Sequence, residues 1–182
     1  MTKAPPVISV AVVDNTAFLK IPGRANFTSS VDFKTVVAEL RGRGVDHFIL
    51  DLGECVTMDS TFLGVLAGIA LRHADGKEMS ATSEKLRLDL LNPNAGISDL
   101  LENLRVVHLF NVFHHENPCT AIFEPIDHQE AASRLEMCKI SLEAHEVLMR
   151  IKPENIPKFK DVAQFLAEDL RKLKEQNPPS SC

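Results

Sequence analysis

The chain has 182 residues, of which 45% are hydrophobic and 25% charged. That is the balance of an ordinary globular protein with room for one well-cored domain and an appendage. A net charge of −5 and the absence of Trp and Tyr exclude the clustered basic surface and stacking aromatics on which nucleic-acid binding draws. Residues 1–6 lack the apolar core of a secretory signal, and the longest apolar stretch, residues 62–71, is too short to span a bilayer. None of the four cysteines, Cys55, Cys119, Cys138 and Cys182, is spaced as CxxC. A cytoplasmic protein with reduced thiols and no membrane insertion is expected.

Residues 7–13 are rich in β-branched side chains and end at Asp14-Asn15, a pair suited to a tight turn. Residues 17–21 read as the returning strand, stopped by Pro22-Gly23, which makes an opening β-hairpin. Thr28, Ser29 and Ser30 offer caps for a helix whose apolar positions Phe33, Val36, Val37 and Leu40 follow the helical repeat. Gly42 and Gly44 end it. Residues 48–52 form a nearly continuous apolar run, the pattern of a strand covered on both faces. A second helix is expected from Ser60 to about Arg72, a strand over residues 86–90, a break at Asn92-Pro93-Asn94, and a third helix over 97–104. This alternation implies an α/β fold: a mostly parallel, mixed sheet with right-handed crossovers.

After Phe113 the texture changes. Residues 114–118 are a polar connector, and residues 119–123 read equally as a short strand or a linker. Two amphipathic helices follow. One carries Ala131, Leu135, Cys138, Leu142, His145 and Met149; the other, beyond Pro153, carries Ile156, Phe159, Val162, Leu166, Leu170 and Leu173. A short connection favours an antiparallel αα-hairpin. Two helices bury too little alone, so they are expected to pack on the α/β unit or across a homodimer. The organisation is therefore a domain over residues 1–114, a linker over 115–127, a helical extension over 128–176 and a disordered tail over 177–182.

The informative stretch runs Asp51-Leu52-Gly53-Glu54-Cys55-Val56-Thr57-Met58-Asp59-Ser60-Thr61-Phe62-Leu63-Gly64-Val65-Leu66. It resembles the signature of the STAS domain, the fold of bacterial anti-sigma-factor antagonists. In that family a buried strand ends in Asp-Leu, and Asp-Ser opens a helix containing Leu-Gly-Val-Leu. Gly23-Arg24-Ala25-Asn26 and the segment from Leu86 to Phe110, with Asn92-Pro93, match in order and spacing. The resemblance covers about 110 residues, all ahead of the helical extension.

The resemblance implies a non-enzymatic protein of transcriptional partner switching that needs no cofactor and no metal. Ser60 falls where the family carries its regulatory phosphoserine, with Thr61 as a secondary acceptor. Asn26, Asp59, Ser60, Thr61, Phe62 and Leu63 would form the partner-binding surface. The partners would be a GHKL-type serine kinase that doubles as an anti-sigma factor, bound until Ser60 is phosphorylated, and a PP2C-type phosphatase. Two positions depart from the family pattern: Phe62 stands where Gly is usual, and Asn26 where Asp is usual. The alternative is a constitutive STAS scaffold, as in a stressosome or a lipid-transport ABC system.

Local chemistry bears on the same place. A hydroxyl at a helix N-terminus is an ordinary cap, and the free N–H groups there also favour an anion. The helix beginning at Ser60 is apolar on nearly every side, which fits deep burial under the C-terminal helices as well as a docking surface. His114-His115-Glu116 lacks the spacing of a metal site. Ser60 and Asp59 suggest no catalytic triad, since no G-x-S-x-G elbow exists and no base can be nominated. Arg41-Gly42-Arg43-Gly44 lacks the lysine and spacing of a phosphate loop.

Overall fold

A computed structural model describes residues 8–74, 86–126 and 132–176. The tail over 177–182 and the first member of the C-terminal stripe, Ala131, lie outside the described residues. The opening hairpin is present as β1 (Ser9–Val13) and β2 (Thr16–Lys20), turned through Asp14 with φ 52°. There follow β3 (Gly23–Ala25), α1 (Phe27–Gly42), β4 (His47–Asp51), β5 (Cys55–Met58), α2 (Ser60–Ala74), β6 (Arg87–Leu91), α3 (Ala95–Asn103), β7 (Asn111–Phe113) and β8 (Glu124–Pro125). The C-terminal pair is α4 (Arg134–Ile151) and α5 (Ile156–Gln176), joined by a 3-10 turn over Pro153–Asn155.

The main sheet has the order β7-β6-β4-β2-β1-β8. β2, β4, β6 and β7 run parallel, and β1 is antiparallel to both β2 and β8. The mixed, mostly parallel α/β sheet expected from the sequence is what forms. β3 and β5 make a separate two-stranded parallel sheet. These strands were too short to register as apolar patterns.

Alternation along each strand divides the sheet into two faces. Phe48, Leu50, Leu88 and Leu90 join Phe33 and Val37 of α1, Phe62 and Leu66 of α2, and Ile97 and Leu101 of α3 in one core. The opposite face carries Lys20, His47, Asp51, Arg87 and Asp89. Asp89 is 1% exposed there, yet accepts from His47 Nε2 at 2.8 Å, Asn111 Nδ2 at 2.8 Å and Arg87, which joins β4, β6 and β7. The connector crosses this face from β7 at one edge to β8 at the other. Asn117 donates to Asp51 at 2.7 Å, Asn92 donates to the His115 carbonyl at 2.8 Å, and Lys20 lies 4.4 Å over the Phe123 ring. Strand β8 thus begins just past the segment where strand and linker were equal readings.

Two local expectations are corrected. The cap of α1 is Asn26, not Thr28, Ser29 or Ser30. Its side chain accepts from the Thr28 and Ser29 amides, while Ser29 Oγ accepts from the Asn26 amide, a reciprocal capping box. The C-terminal stripes are also rotated. In α4 the buried residues are Cys138, Ile140, Ser141, Ala144, His145 and Leu148, whereas Leu142 and Met149 are half-buried. Helix α4 lies between α2 and α5, so it buries a wider arc than one stripe. Helix α5 is the outer layer: Ala163 and Leu173 are buried, while Ile156 and Val162 from the expected stripe are exposed.

The pair is anchored at its corner by Asn155, fully buried, which donates to the carbonyls of Leu104 and Leu148 at 3.0 and 2.9 Å. Of the two packing arrangements expected, the one within the chain is present: α4 lies on α2. Cys55, Cys119 and Cys138 are free thiols.

Candidate functional site

The site is built where β5 hands over to α2. Asp59 leaves the small sheet with its amide donating to the Ala25 carbonyl at 2.9 Å. Its carboxylate then serves two helices. Oδ1 accepts from the Phe62 amide at 2.8 Å, capping α2, and Oδ2 accepts from the Phe27 amide at 2.9 Å, at the start of α1. Each interaction satisfies an amide left unpaired by the helix and sets a negative charge at the positive end of its dipole. Asp59 is therefore the cap, and Ser60 is the first helical residue. This corrects the reading of the Ser60 hydroxyl as the cap.

Relieved of capping, the Ser60 hydroxyl has another partner. Oγ lies 3.0 Å from Nε2 of His145 on α4. The tautomer follows from the other side of the ring, where Nδ1 lies 2.7 Å from the Ser141 carbonyl oxygen. A carbonyl can only accept, so in the neutral ring Nδ1 carries the proton, Nε2 is bare, and Ser60 donates. Burial pushes the His145 pKa down, opposed by the Ser141 carbonyl and the charge of Asp59. Its ring also packs on Phe159 of α5, with centroids 5.2 Å apart. One imidazole thus touches α2, α5 and its own helix.

His145 is the residue that sequence reasoning missed. The available signal was a histidine inside an otherwise apolar stripe, opposite no stated partner. The base that could not be nominated from sequence is present, but a triad is not. The third position holds a backbone carbonyl, and both Asp59 oxygens are committed to amides. The arrangement polarises the Ser60 hydroxyl without the carboxylate that orients a catalytic histidine.

The other expected site residues separate into two groups. Asn26, Asp59 and Ser60 come together around the two helix starts. Thr61 is 6% exposed, and Phe62 and Leu63 are fully buried. Phe62, where the family pattern has Gly, fills the core against Phe33 with centroids 5.3 Å apart. As folded, Thr61, Phe62 and Leu63 offer little surface to a partner. The reason is period: they follow Ser60 around a helix buried on both sides.

The outer side of α2 is covered by α4. A Cβ on Gly64 would fall 2.7 Å from the Ala144 carbonyl carbon and run into its oxygen; on Gly68 it would lie 3.4 Å from Val147 Cγ2. Small residues let the two backbones touch. Between deep burial and an open docking face, the structure has burial. Exposed apolar side chains on the elements that lead into the site include Phe27 at the start of α1, 48% exposed, and Val56 of β5, 67% exposed. Among the described residues no group of three or more metal-ligating side chains is assembled, and no helix is long and apolar enough to cross a membrane.

No family model matches the sequence, and no curated protein matches it. Several solved structures are similar in fold. One is the anti-sigma factor antagonist SpoIIAA in its unphosphorylated form, at 15% identity and TM-score 0.48 over 58% of this chain and 87% of that one. Another, from Thermotoga maritima and assigned as an anti-sigma factor antagonist, has 18% identity and TM-score 0.49 over 59% and 86%. A third, an anti-sigma factor antagonist from Mycobacterium paratuberculosis, has 10% identity and TM-score 0.47 over 66% and 92%.

Proposed function

We propose that this chain is a STAS-type, non-enzymatic signalling protein of the anti-sigma-factor-antagonist kind, acting in the cytoplasm through Ser60. The observation that carries the reading is that Asp59 caps α2, which leaves a half-buried Ser60 hydroxyl at the helix start with no duty in helix formation. A phosphate there meets the positive end of the helix dipole, worth about 0.3–1 kcal/mol, against the like charge of Asp59. Helix α2 itself thus gains little from such a phosphate, which suits a modification read by a partner. The partners are a GHKL-type serine kinase acting as anti-sigma factor, bound by the unmodified form, and a PP2C-type phosphatase that restores it. Exposed Phe27, whose amide donates to Asp59, supplies apolar contact at the site.

Titration of the unmodified and the Ser60-phosphorylated chain against the partner recovered by pull-down tests this. Charge placed in a desolvated interface costs about 2–5 kcal/mol, so affinity should fall by roughly thirty- to several-thousandfold. Affinities equal within about a factor of three would overturn it. The Ser60–His145 bond favours a second reading, a constitutive scaffold in a stressosome or lipid-transport ABC system, in which Ser60 is structural. Recovery of an ATPase or transporter subunit, with affinity indifferent to phosphate, would support that reading instead.

A further inference from the structure

We propose that the α4–α5 pair is an intramolecular latch on α2, held at its end by Ser60 donating to His145, and that a phosphoryl group on Ser60 unlatches it. The inference rests on the reading of Ser60 as a modified residue and adds what the modification does to this chain. In the modification the Ser60 oxygen bonds to the γ-phosphorus of ATP, ADP leaves, and the hydroxyl proton is lost. The latch therefore loses its only donor at that contact.

Sterics come first. Oγ and Nε2 are already at hydrogen-bond distance, 3.0 Å, and a phosphorus with three further oxygens cannot fit between them. Making room takes movement of α4 away from Ser60, and that gives up the close packing one turn along α2, where a Cβ on Gly64 would run into the carbonyl of Ala144, the residue next to His145. If Ser60 instead turns outward, Nε2 is left as a buried acceptor with no donor. Either way the Ser60–His145 bond is broken.

Electrostatics point the same way. Phosphate oxygens near neutral pH accept, and Nε2 accepts, so two lone-pair groups would face each other. Rescue requires protonating His145, which burial disfavours. The groups facing that ring are Ser60 with neighbouring Asp59 from α2, the Phe159 ring from α5, and the Ser141 carbonyl from its own helix. Asp59 would stabilise an imidazolium, but it repels the phosphate equally. Release would uncover the crevice between the helices, lined by Gly64, Val65, Gly68, Ile69, Ile140 and Val147. The modified form would then present an apolar α2 face that the unmodified form conceals.

The test uses the full chain with Gly68→Cys and Val147→Cys, since a Cβ at position 68 lies 3.4 Å from a Val147 methyl carbon, and with Cys119 and Cys182 changed to Ser. Phosphoserine is installed at position 60 during synthesis, so no kinase or partner is involved. Under mild oxidation the Ser60 form should close the 68–147 disulfide, and the phosphoserine form should do so at least about tenfold more slowly. Amide exchange of α2 and α4, measured on chains without the added cysteines, should accelerate with phosphoserine. Equal or faster closure, or unchanged or slower exchange, would mean that phosphate pairs with His145 and overturns the latch. If no partner responds to phosphate, the proposed function fails while these readouts still decide the latch.

Discussion

Gly64 and Ala144 bring two helix backbones into contact across 80 positions of sequence (144 − 64). Because the obstacle to a side chain is carbonyl and not a flexible tip, Gly64→Ala should destabilise, although Ala is the better helix former by about 1 kcal/mol. Overpacking costs about 1–3 kcal/mol and outweighs that gain, leaving a net loss of up to about 2 kcal/mol. In a chain of this size that lowers Tm by up to roughly 8 °C, measurable by calorimetry. Gly42→Ala, where nothing lies within 4 Å of the added Cβ, is the control and should be neutral or mildly stabilising.

The division of labour between Asp59 and Ser60 predicts unequal effects of truncating each. Asp59→Ala removes the cap of α2 and the acceptor of the Phe27 amide. It should cost about 1–3 kcal/mol, since one cap alone costs about 0.5–2 kcal/mol. Ser60→Ala removes only the donor to His145 and should cost about 1 kcal/mol, with helix α2 intact by circular dichroism. Urea midpoints of the two variants give the comparison. A larger loss for Ser60→Ala would return the capping role to Ser60.

Acid should weaken the fold in two separate windows. Burial holds His145 below its ordinary 6.5, against the Ser141 carbonyl and Asp59. The unfolded chain then takes up a proton that the folded chain refuses. Stability is full above about pH 6.5, falls as pH drops, and levels off once the folded imidazole protonates. Asp89 behaves independently. Burial pushes its carboxyl up, but hydrogen bonds from Asn111, His47 and Arg87 outweigh that and hold it below 3.8. Its contribution is complete above about pH 4 and lost as pH falls through the folded value. Urea midpoints should drop between about pH 7.5 and about pH 5.5, and His145→Gln should flatten that slope.

Asn155 predicts a stability effect far from Ser60. Asn155→Ala would leave the buried carbonyls of Leu104 and Leu148 without their donor. Each such group costs about 1–3 kcal/mol. Amide exchange should rise first at the α4–α5 corner and the end of α3, and the apolar dye binding of the chain should increase. An unchanged exchange pattern would mean that water replaces the amide.

Period-two and 3.6-residue patterns, together with the Pro-Gly and Asn-Pro breaks, were enough to place the opening hairpin, the central strand β4 and the first three helices. Each such element is decided by contacts with its own near neighbours in sequence and by which side must face a core. The boundary at Asp59-Ser60 was legible for the same reason, although which of the two residues caps α2 was not. That depends on the rotamer of Asp59, fixed by its second bond to Phe27.

The strands β3, β5 and β7, of three or four residues, carry too few side chains to show a period, and only pairing partners bring them into being. In the C-terminal half, composition and spacing determined that two amphipathic helices exist. They did not determine which way each faces. A stripe such as Cys138, Leu142, His145 and Met149 can rotate by part of a turn at little cost in apolar area. The choice was made by the backbone contact at Gly64 and by the buried bonds of Asn155, groups that have no meaning until the helices meet. That rotation is what sets His145 against Ser60, so the chemistry of the serine belongs to a segment 85 residues away and only the tertiary packing could assign it.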